Sequence, residues 1–354
     1  MIPTVDKTDI NALSALAYTL PMNARKLGTA TILGIFLLVL SSFFMPSHVN
    51  ATTSATFIFG GDVMLGRAVR DQIVKRGSNN GSWVTSGIAS QFKAANLALV
   101  NLESPFAPGP ALGYGMVFRA DPKHVTALTG AGIDVVSFAN NHSRNQGITG
   151  IKTTLDTLKK NNIAVAGAGL TGKSAFAPVY VNAGPYKVAV FAYTYDQHTT
   201  SDSTGATIAG FNTMELGRGI RAAKKQGYFV VVNMHAGTEY TLNVTAQQKN
   251  FAHSAINAGA DLVVGEHPHW AQGVEIYRGK PILYSLGNLV FDQPWSLFTQ
   301  QGVVAKITVT DGKVKKINLL PVKIDYASKP RFMTSQEAAP VLKRIGRPTG
   351  VINL

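Results

Sequence analysis

Apolar and polar positions fall into three regimes along this chain. From Leu27 to Met45 the run LGTATILGIFLLVLSSFFM holds no charge and is apolar on every face. That pattern suits a helix in lipid rather than an amphipathic one. From residue 55 short apolar β-runs alternate with segments at helical spacing. ATFIF, LALVNL, DVVSFA, YFVVVNM and DLVVG are the β-runs. Between them GRAVRDQIVKR, DPKHVTALTGAG, residues 147–161, MELGRGIRAAKKQG and TAQQKNFAHSAINAG carry the helical period. Hairpins are expected around Ala183-Gly184, at Arg278-Gly279-Lys280 and at Asp311-Gly312. ILYSLGNLVF reads as one buried strand ending in a Gly-Asn turn. Beyond 326 periodicity is lost until APVLKRI, and the segment reads as a basic tail.

β-runs with little alternation belong to strands covered on both faces. The fold class is therefore α/β, with a central buried pair of sheets. The expected organisation is a cytoplasmic tail (1–26), a transmembrane anchor or signal sequence (27–46), a linker (47–55), one folded domain (56–325) and a C-terminal tail (326–354).

Ligands of open α/β sheets gather beyond the carboxyl ends of the strands. Asp62, Glu103, Asn141-His142, His235 and His267-Pro268-His269 all fall just after β-runs. Pro268 biases its neighbour toward extended backbone, which would aim His267 and His269 the same way. Each residue alone has a plain reading: turn residue, cap or core histidine. Five segments delivering metal-competent groups to one edge outweigh those separate readings. Carboxylates, imidazoles and an amide suit one or two divalent ions of Mn, Fe, Zn or Mg, and exclude copper and Fe–S chemistry. With no cysteine, thiolate sites and disulfides are excluded as well. Two metals would lower the pKa of water and clamp the oxygens of an in-line displacement. His142, beside Asn141, is placed to protonate a leaving group.

Charge adds a partner and a location. The chain has 33 Lys/Arg against 19 Asp/Glu, net +14. Residues 1–51 hold three Lys/Arg and two Asp, so the remainder carries +13. Such a surface attracts acidic polymers or anionic lipid. Arg25-Lys26 precede the apolar run and no Lys/Arg follows until Arg67, which places the N-terminus inside and the rest outside the cell membrane as a single-pass protein. The alternative is secretion after cleavage near Ala51. Either location keeps nucleic acid away.

GDVMLGR, VNLESP, FANNHSRNQG, NMHAGTEY, GADLVVGEHPHW and PILYSLGNLVFDQ resemble successive blocks of the bacterial capsule synthesis protein CapA family, over residues 55 to 310. The resemblance implies a role in poly-γ-glutamate capsule synthesis and export. It also implies the four-layer α/β/β/α sandwich of metallophosphoesterases behind one transmembrane helix. It makes Asp62, Glu103, Asn141, His235, His267 and His269 metal ligands and His142 catalytic with Asn145, and leaves Arg67, Glu239 and Asn288 as candidate substrate contacts. Met64 stands where phosphoesterases carry a histidine. Asn145 stands where an Asp commonly follows, and Ala236 replaces an aromatic residue. Three functions compete: a membrane-anchored metal-dependent hydrolase acting on the polymer, a non-catalytic polyanion-binding scaffold beside membrane synthase subunits, and a general phosphoesterase.

Overall fold

The computed structural model describes residues 52–354 apart from Ala111, Tyr114, Gln197, His198, Thr200 and Ser201. The expected membrane segment at 27–46 lies outside the described residues. Among those described, no helix is long and apolar enough to cross a membrane.

Alternate residues of the first strand, β1 (Ser54–Val63), face two different cores. Ile58 points to one side, where helices cover the sheet; Phe57 and Phe59 point to the other, where a second sheet lies. The same two-sided burial recurs in β2 (Leu97–Leu102), β3 (Val135–Ser137) and β4 (Ala164–Ala166), which continue from β1 in parallel. It explains why the β-runs show so little polar alternation. A short β5 (Ala168–Gly169) pairs with β8 (Thr207–Ile208).

The second sheet holds β6 (Val179–Ala183), β7 (Tyr186–Thr194), β9 (Phe229–His235), β10 (Leu262–Glu266), β11 (Val274–Tyr277) and β12 (Lys280–Leu283), in the order β11-β12-β10-β9-β7-β6. Val188, Val190, Val231 and Val264 on its inner face meet Phe57, Phe59, Leu97 and Leu99. On the outer face of the first sheet lie α1 (Arg67–Arg76), α2 (Ser82–Thr85), α3 (Ala89–Lys93), α4 (Thr126–Ala131) and α5 (Gly147–Lys160). On that of the second lie α6 (Gly172–Phe176), α7 (Thr213–Lys225) and α8 (Ala246–Ala258). The layers therefore run helix, sheet, sheet, helix.

The turns at Gly184, Arg278-Gly279 and Asp311-Gly312 form as expected, each with positive φ, the backbone that two-residue hairpin turns require. Two expectations need correction. ILYSLGNLVF is not one strand: β12 ends at Leu283, and β13 (Asn288–Val290) crosses to the first sheet to pair with β1. Gly61 permits that crossing, since a Cβ there would sit 1.7 Å from the Gly287 carbonyl oxygen. Nor is the segment after 326 a tail. β14 (Gln301–Thr310) and β15 (Lys313–Ile324) extend the first sheet; β16 (Pro330–Phe332) and β17 (Val351–Asn353) pair with β15. Between them α9 (Ser335–Arg344) starts at a Thr334/Glu337 capping box and packs Val341 and Leu342 into the inter-sheet core.

Candidate metal centre

On the inner face of the sheets the side chains change character at the carboxyl ends of the strands. Along β2, Leu97 and Leu99 give way to Asn101; along β9, Phe229 and Val231 give way to Asn233 and His235; along β10, Leu262 and Val264 give way to Glu266. Asp62 ends β1 in register with Asn101 and Asn288. Glu103 follows β2, the Asn140-Asn141-His142 turn follows β3, and His267 and His269 follow β10. The two latter histidines have φ of 102° and 58°. The extended geometry expected around Pro268 is thus absent. Such backbone costs on the order of 1–3 kcal/mol per residue and persists where the surroundings enforce it; here it turns both imidazoles inward.

Asp62, Glu103 and His235 each offer a ligand atom, and these atoms lie within 4.8 Å of one another, all buried. His235 Nε2 is 2.9 Å from Asn141 Oδ1 and 3.2 Å from His267 Nδ1. His269 Nδ1 is 3.3 Å from Asp62 Oδ2, and its Nε2 is 3.7 Å from Glu103 Oε1. His142 Nε2 stands 3.9 Å from the same Glu103 oxygen. The sequence-predicted ligands thus converge on one place. Asp62 Oδ2, Glu103 Oε1 and His142 Nε2 are buried without a hydrogen-bond partner. Unpaired acceptors of this kind, inside a cluster of oxygen and imidazole donors, fit a divalent cation.

Two residues missed by sequence reading orient the cluster. Asn140 Oδ1 accepts from the His142 backbone N–H at 3.1 Å, which fixes its amide, so Nδ2 donates to Asn101 Oδ1 at 3.1 Å. Asn101 Nδ2 therefore faces inward, 2.8 Å from Asp62 Oδ1, 3.4 Å from Glu103 Oε2 and 3.3 Å from His235 Nδ1. Their signal was faint: an Asn inside an apolar run on the inner face, and an Asn beside the more obvious Asn141. Asn145 Oδ1 accepts from Phe118 N–H and from His142 Nδ1. A backbone N–H can only donate, so Oδ1 is an acceptor, His142 carries its proton on Nδ1, and Nε2 bears the lone pair toward the cluster.

Burial, then the charge of Asp62, pushes the Glu103 carboxyl well above the usual range. Burial does the same to Glu266, whose Oε1 accepts from Asn233. Burial, followed by neighbouring imidazoles, holds His235 well below its ordinary value and brings His267 to about 3. Burial lowers His142 to about 4, against the hydrogen bond to Asn145, which opposes the shift. His142, His235 and His267 are therefore neutral at pH 7, the form that binds metals.

The three candidate substrate contacts separate. Asn288 is buried: its Oδ1 is 2.9 Å from His269 Nδ1, and Nδ2 donates to Gln293 Oε1 and Thr299 O. It braces the candidate ligand His269 from inside the fold. Arg67 is buried too, paired with Asp292, donating to Gly115 O and lying 4.5 Å over the Phe118 ring. Phe118 also stacks on His142, with ring centroids 3.8 Å apart. Glu239 alone stands half-buried at the rim.

The profile of the bacterial capsule synthesis protein family PGA_cap matches residues 56–293. The chain belongs to that family. The PGA_cap match runs from β1 to the loop after β13 and so contains every candidate ligand, while β14 to β17 and α9 lie beyond it. Among similar proteins, the capsule biosynthesis protein CapA of Bacillus anthracis is 30% identical over 303 residues, covering 82% of this chain and 72% of that one. The PGA biosynthesis protein CapA of Bacillus subtilis strain 168 is 28% identical over 80% and 75% of the two chains. The "Probable polyglutamine synthesis accessory protein" of Mycobacterium tuberculosis is 27% identical over 76% and 84%.

Proposed function

We propose that this PGA_cap protein serves the production of a capsule polymer of the poly-γ-glutamate class, as a metal-dependent hydrolase that cuts a bond in the polymer or in a phosphoester tied to its synthesis. The observation that carries the reading is the buried Asp62–Glu103–His235 group with unpaired oxygens, in a relative of two proteins named for capsule and PGA biosynthesis. The metallophosphoesterase-like arrangement implied by the sequence blocks agrees with the layer order of the fold.

Asp62, Glu103, Asn141, His235, His267 and His269 would hold the metal. When bound, it would supply Lewis-acid charge to the scissile group and lower the pKa of an attacking water. Asn101 and Asn288 orient Asp62, His235 and His269. His142 takes a role different from the proton donor expected from sequence. With its Nδ1 proton held by Asn145 and a pKa of about 4, the resting ring first accepts at Nε2 a proton from the attacking water. It returns that proton to a leaving group afterwards.

Metal-free protein reloaded with Mn²⁺, Zn²⁺, Fe²⁺ or Mg²⁺ should regain stoichiometric metal and turn over poly-γ-glutamate or an aryl phosphate. Full metal occupancy with no turnover of either would replace this reading with the polyanion-binding scaffold, for which the +14 charge speaks. The proposal places the domain outside the cytoplasm, anchored through residues 27–46. Protein in membranes should then resist high-salt extraction and need detergent, whereas mature protein beginning near Thr52 in the medium would show cleavage.

A further inference from the structure

Three large apolar side chains stand in water around one groove: Trp295 is 54% exposed, Leu297 60% and Tyr326 91%. Exposed aromatic residues gathered on one surface mark a binding site more often than chance placement. A cavity of about 280 Å³ takes in Trp295 and Tyr326 and reaches Phe291 and Asp292. A neighbouring cavity of about 540 Å³ takes in Leu297, Lys323 and Lys329. The two share Gln300, Ile324, Asp325 and Tyr326, so they form one continuous track.

Ring contacts link the Trp295 end of the track to the candidate metal cluster. Tyr240 stacks on His269 with centroids 5.7 Å apart and meets Trp295 edge-on at 4.6 Å. The loop carrying Trp295 and Leu297 is braced by hydrogen bonds: Thr299 Oγ1 shares its one proton between Gln293 O at 2.6 Å and Ser296 O at 2.8 Å, and Gln300 Nε2 donates to Pro294 O. It is anchored on Asn288, the residue that holds His269. A rigid loop that presents bare Trp and Leu is preorganised for contact.

The far end is cationic. Lys323 is exposed at the end of β15, and Lys329 Nζ lies 5.0 Å over the Trp83 ring. Arg331 is neutralised there by Glu337. Asp325 Oδ1 is taken up by the backbone N–H groups of Ala327 and Lys329. Aromatic rings near the cluster and lysines farther out suit one chemistry: a linear acidic polyamide. Its methylene and amide faces would lie on Trp295 and Tyr326, and its carboxylates would face the lysines.

We propose that this track, from Tyr240 past Trp295 and Tyr326 to Lys323 and Lys329, is the binding groove for an acidic polypeptide chain. The inference rests on the polymer reading above and deepens it. The test is fluorescence anisotropy of labelled poly-γ-glutamate with the full chain at about 0.1 M salt. Trp295→Ala/Tyr326→Ala should weaken binding by at least about tenfold, as loss of buried aromatic anchors does. Metal content and Tm should stay as in wild type. Trp295→Phe should restore most of the loss. Lys323→Glu/Lys329→Glu should also weaken binding and flatten its salt dependence. Wild-type protein that binds no polymer overturns both the groove and the polymer reading. Wild-type protein that binds while both double variants bind equally overturns the groove alone. Displacement of the label by neutral dextran at matching concentrations would make it a glycan site and overturn the acidic chain.

Discussion

The two ends of the inter-sheet layer are built from the same strands and obey opposite rules. Toward the strand starts, Phe57, Phe59, Leu99, Val190 and Val231 pack in one apolar cluster. Two to four residues farther along, the strands carry Asp62, Asn101, Ser137, Thr194, Asn233, His235 and Glu266, all buried. Asp62 Oδ2, Ser137 Oγ, Thr194 Oγ1, Asn233 Oδ1 and Glu266 Oε2 have no hydrogen-bond partner there. Each such atom costs about 1–3 kcal/mol. The apolar end supplies the stability that lets the polar end hold charges and orphan atoms against their preference for water. A fold needing only to persist would carry the first pattern to the strand ends.

Breaking the apolar end gives the largest effect. Phe59→Ala removes a ring with 0% exposure between the sheets. It should lower unfolding free energy by about 3–5 kcal/mol, read from the denaturant midpoint at constant slope. Metal affinity of the folded protein should stay unchanged. A matching fall in affinity would mean that the two ends are not separable.

Of these two ends, acid acts on the polar one. His142 is lowered to about 4 by burial, below the unfolded value of about 6.5. The unfolded chain therefore binds the proton first, and the stability contributed by the neutral ring is present above pH 6.5 and lost as pH falls toward 4. In metal-free protein, the stability difference between wild type and His142→Gln should shrink across that window by on the order of 3 kcal/mol. Glu103 and Glu266, raised instead, contribute the opposite slope to both proteins and largely cancel in the difference. A difference independent of pH would show that His142 is not buried as a neutral base.

The ligand substitutions should separate function from stability. His235→Ala and Glu103→Gln should each lower metal affinity by at least about 10–100-fold, since losing even an outer-shell partner costs that much. Metal-free Glu103→Gln should melt no lower than metal-free wild type. The reason is that a carboxyl raised by burial and by Asp62 opposes folding progressively as pH rises above its unfolded value of about 4.3. A lower melting point would make Glu103 a structural residue.

Much of this contrast was legible in the chain. Apolar runs ending in Asp62, Glu103, His235 and HPH gave both the strands and the edge where they meet. Asn101 and Glu266 escaped because they sit inside LALVNL and DLVVGE, where strand periodicity is continuous and only the inward parity sets them apart. The left-handed backbone at His267 and His269 is imposed by tertiary contacts that Pro268 does not foretell. The structure of residues 326–354 was missed because β16 and β17 have three residues each and Pro340 lies within α9. Thr334-Ser335-Gln336-Glu337 nevertheless spells the start of that helix. Sequence shows that Asn288 shares a block with other candidate site residues, but not that its amide lies against His269.

The smallest expected effect sharpens the role of His142. Asn145 Oδ1 already accepts from His142 Nδ1 at 2.9 Å and from Phe118 N at 2.6 Å. Asn145→Asp keeps both hydrogen bonds and adds a negative charge against the ring. An opposite charge at that distance favours the imidazolium, against burial and the nearby Arg67, so the His142 pKa should rise from about 4 by at least roughly one unit. Titration of the His142 ring protons by NMR in metal-free protein reads this directly, and no movement would overturn the Nδ1–H assignment. Turnover then decides which way the proton travels. A ring that must accept a proton at rest loses rate on the acid side when its pKa rises, so the acid limb of the pH profile should move upward with the NMR value. A rate that rises throughout would make donation the limiting step and return His142 to the proton donor that its place in the chain suggests.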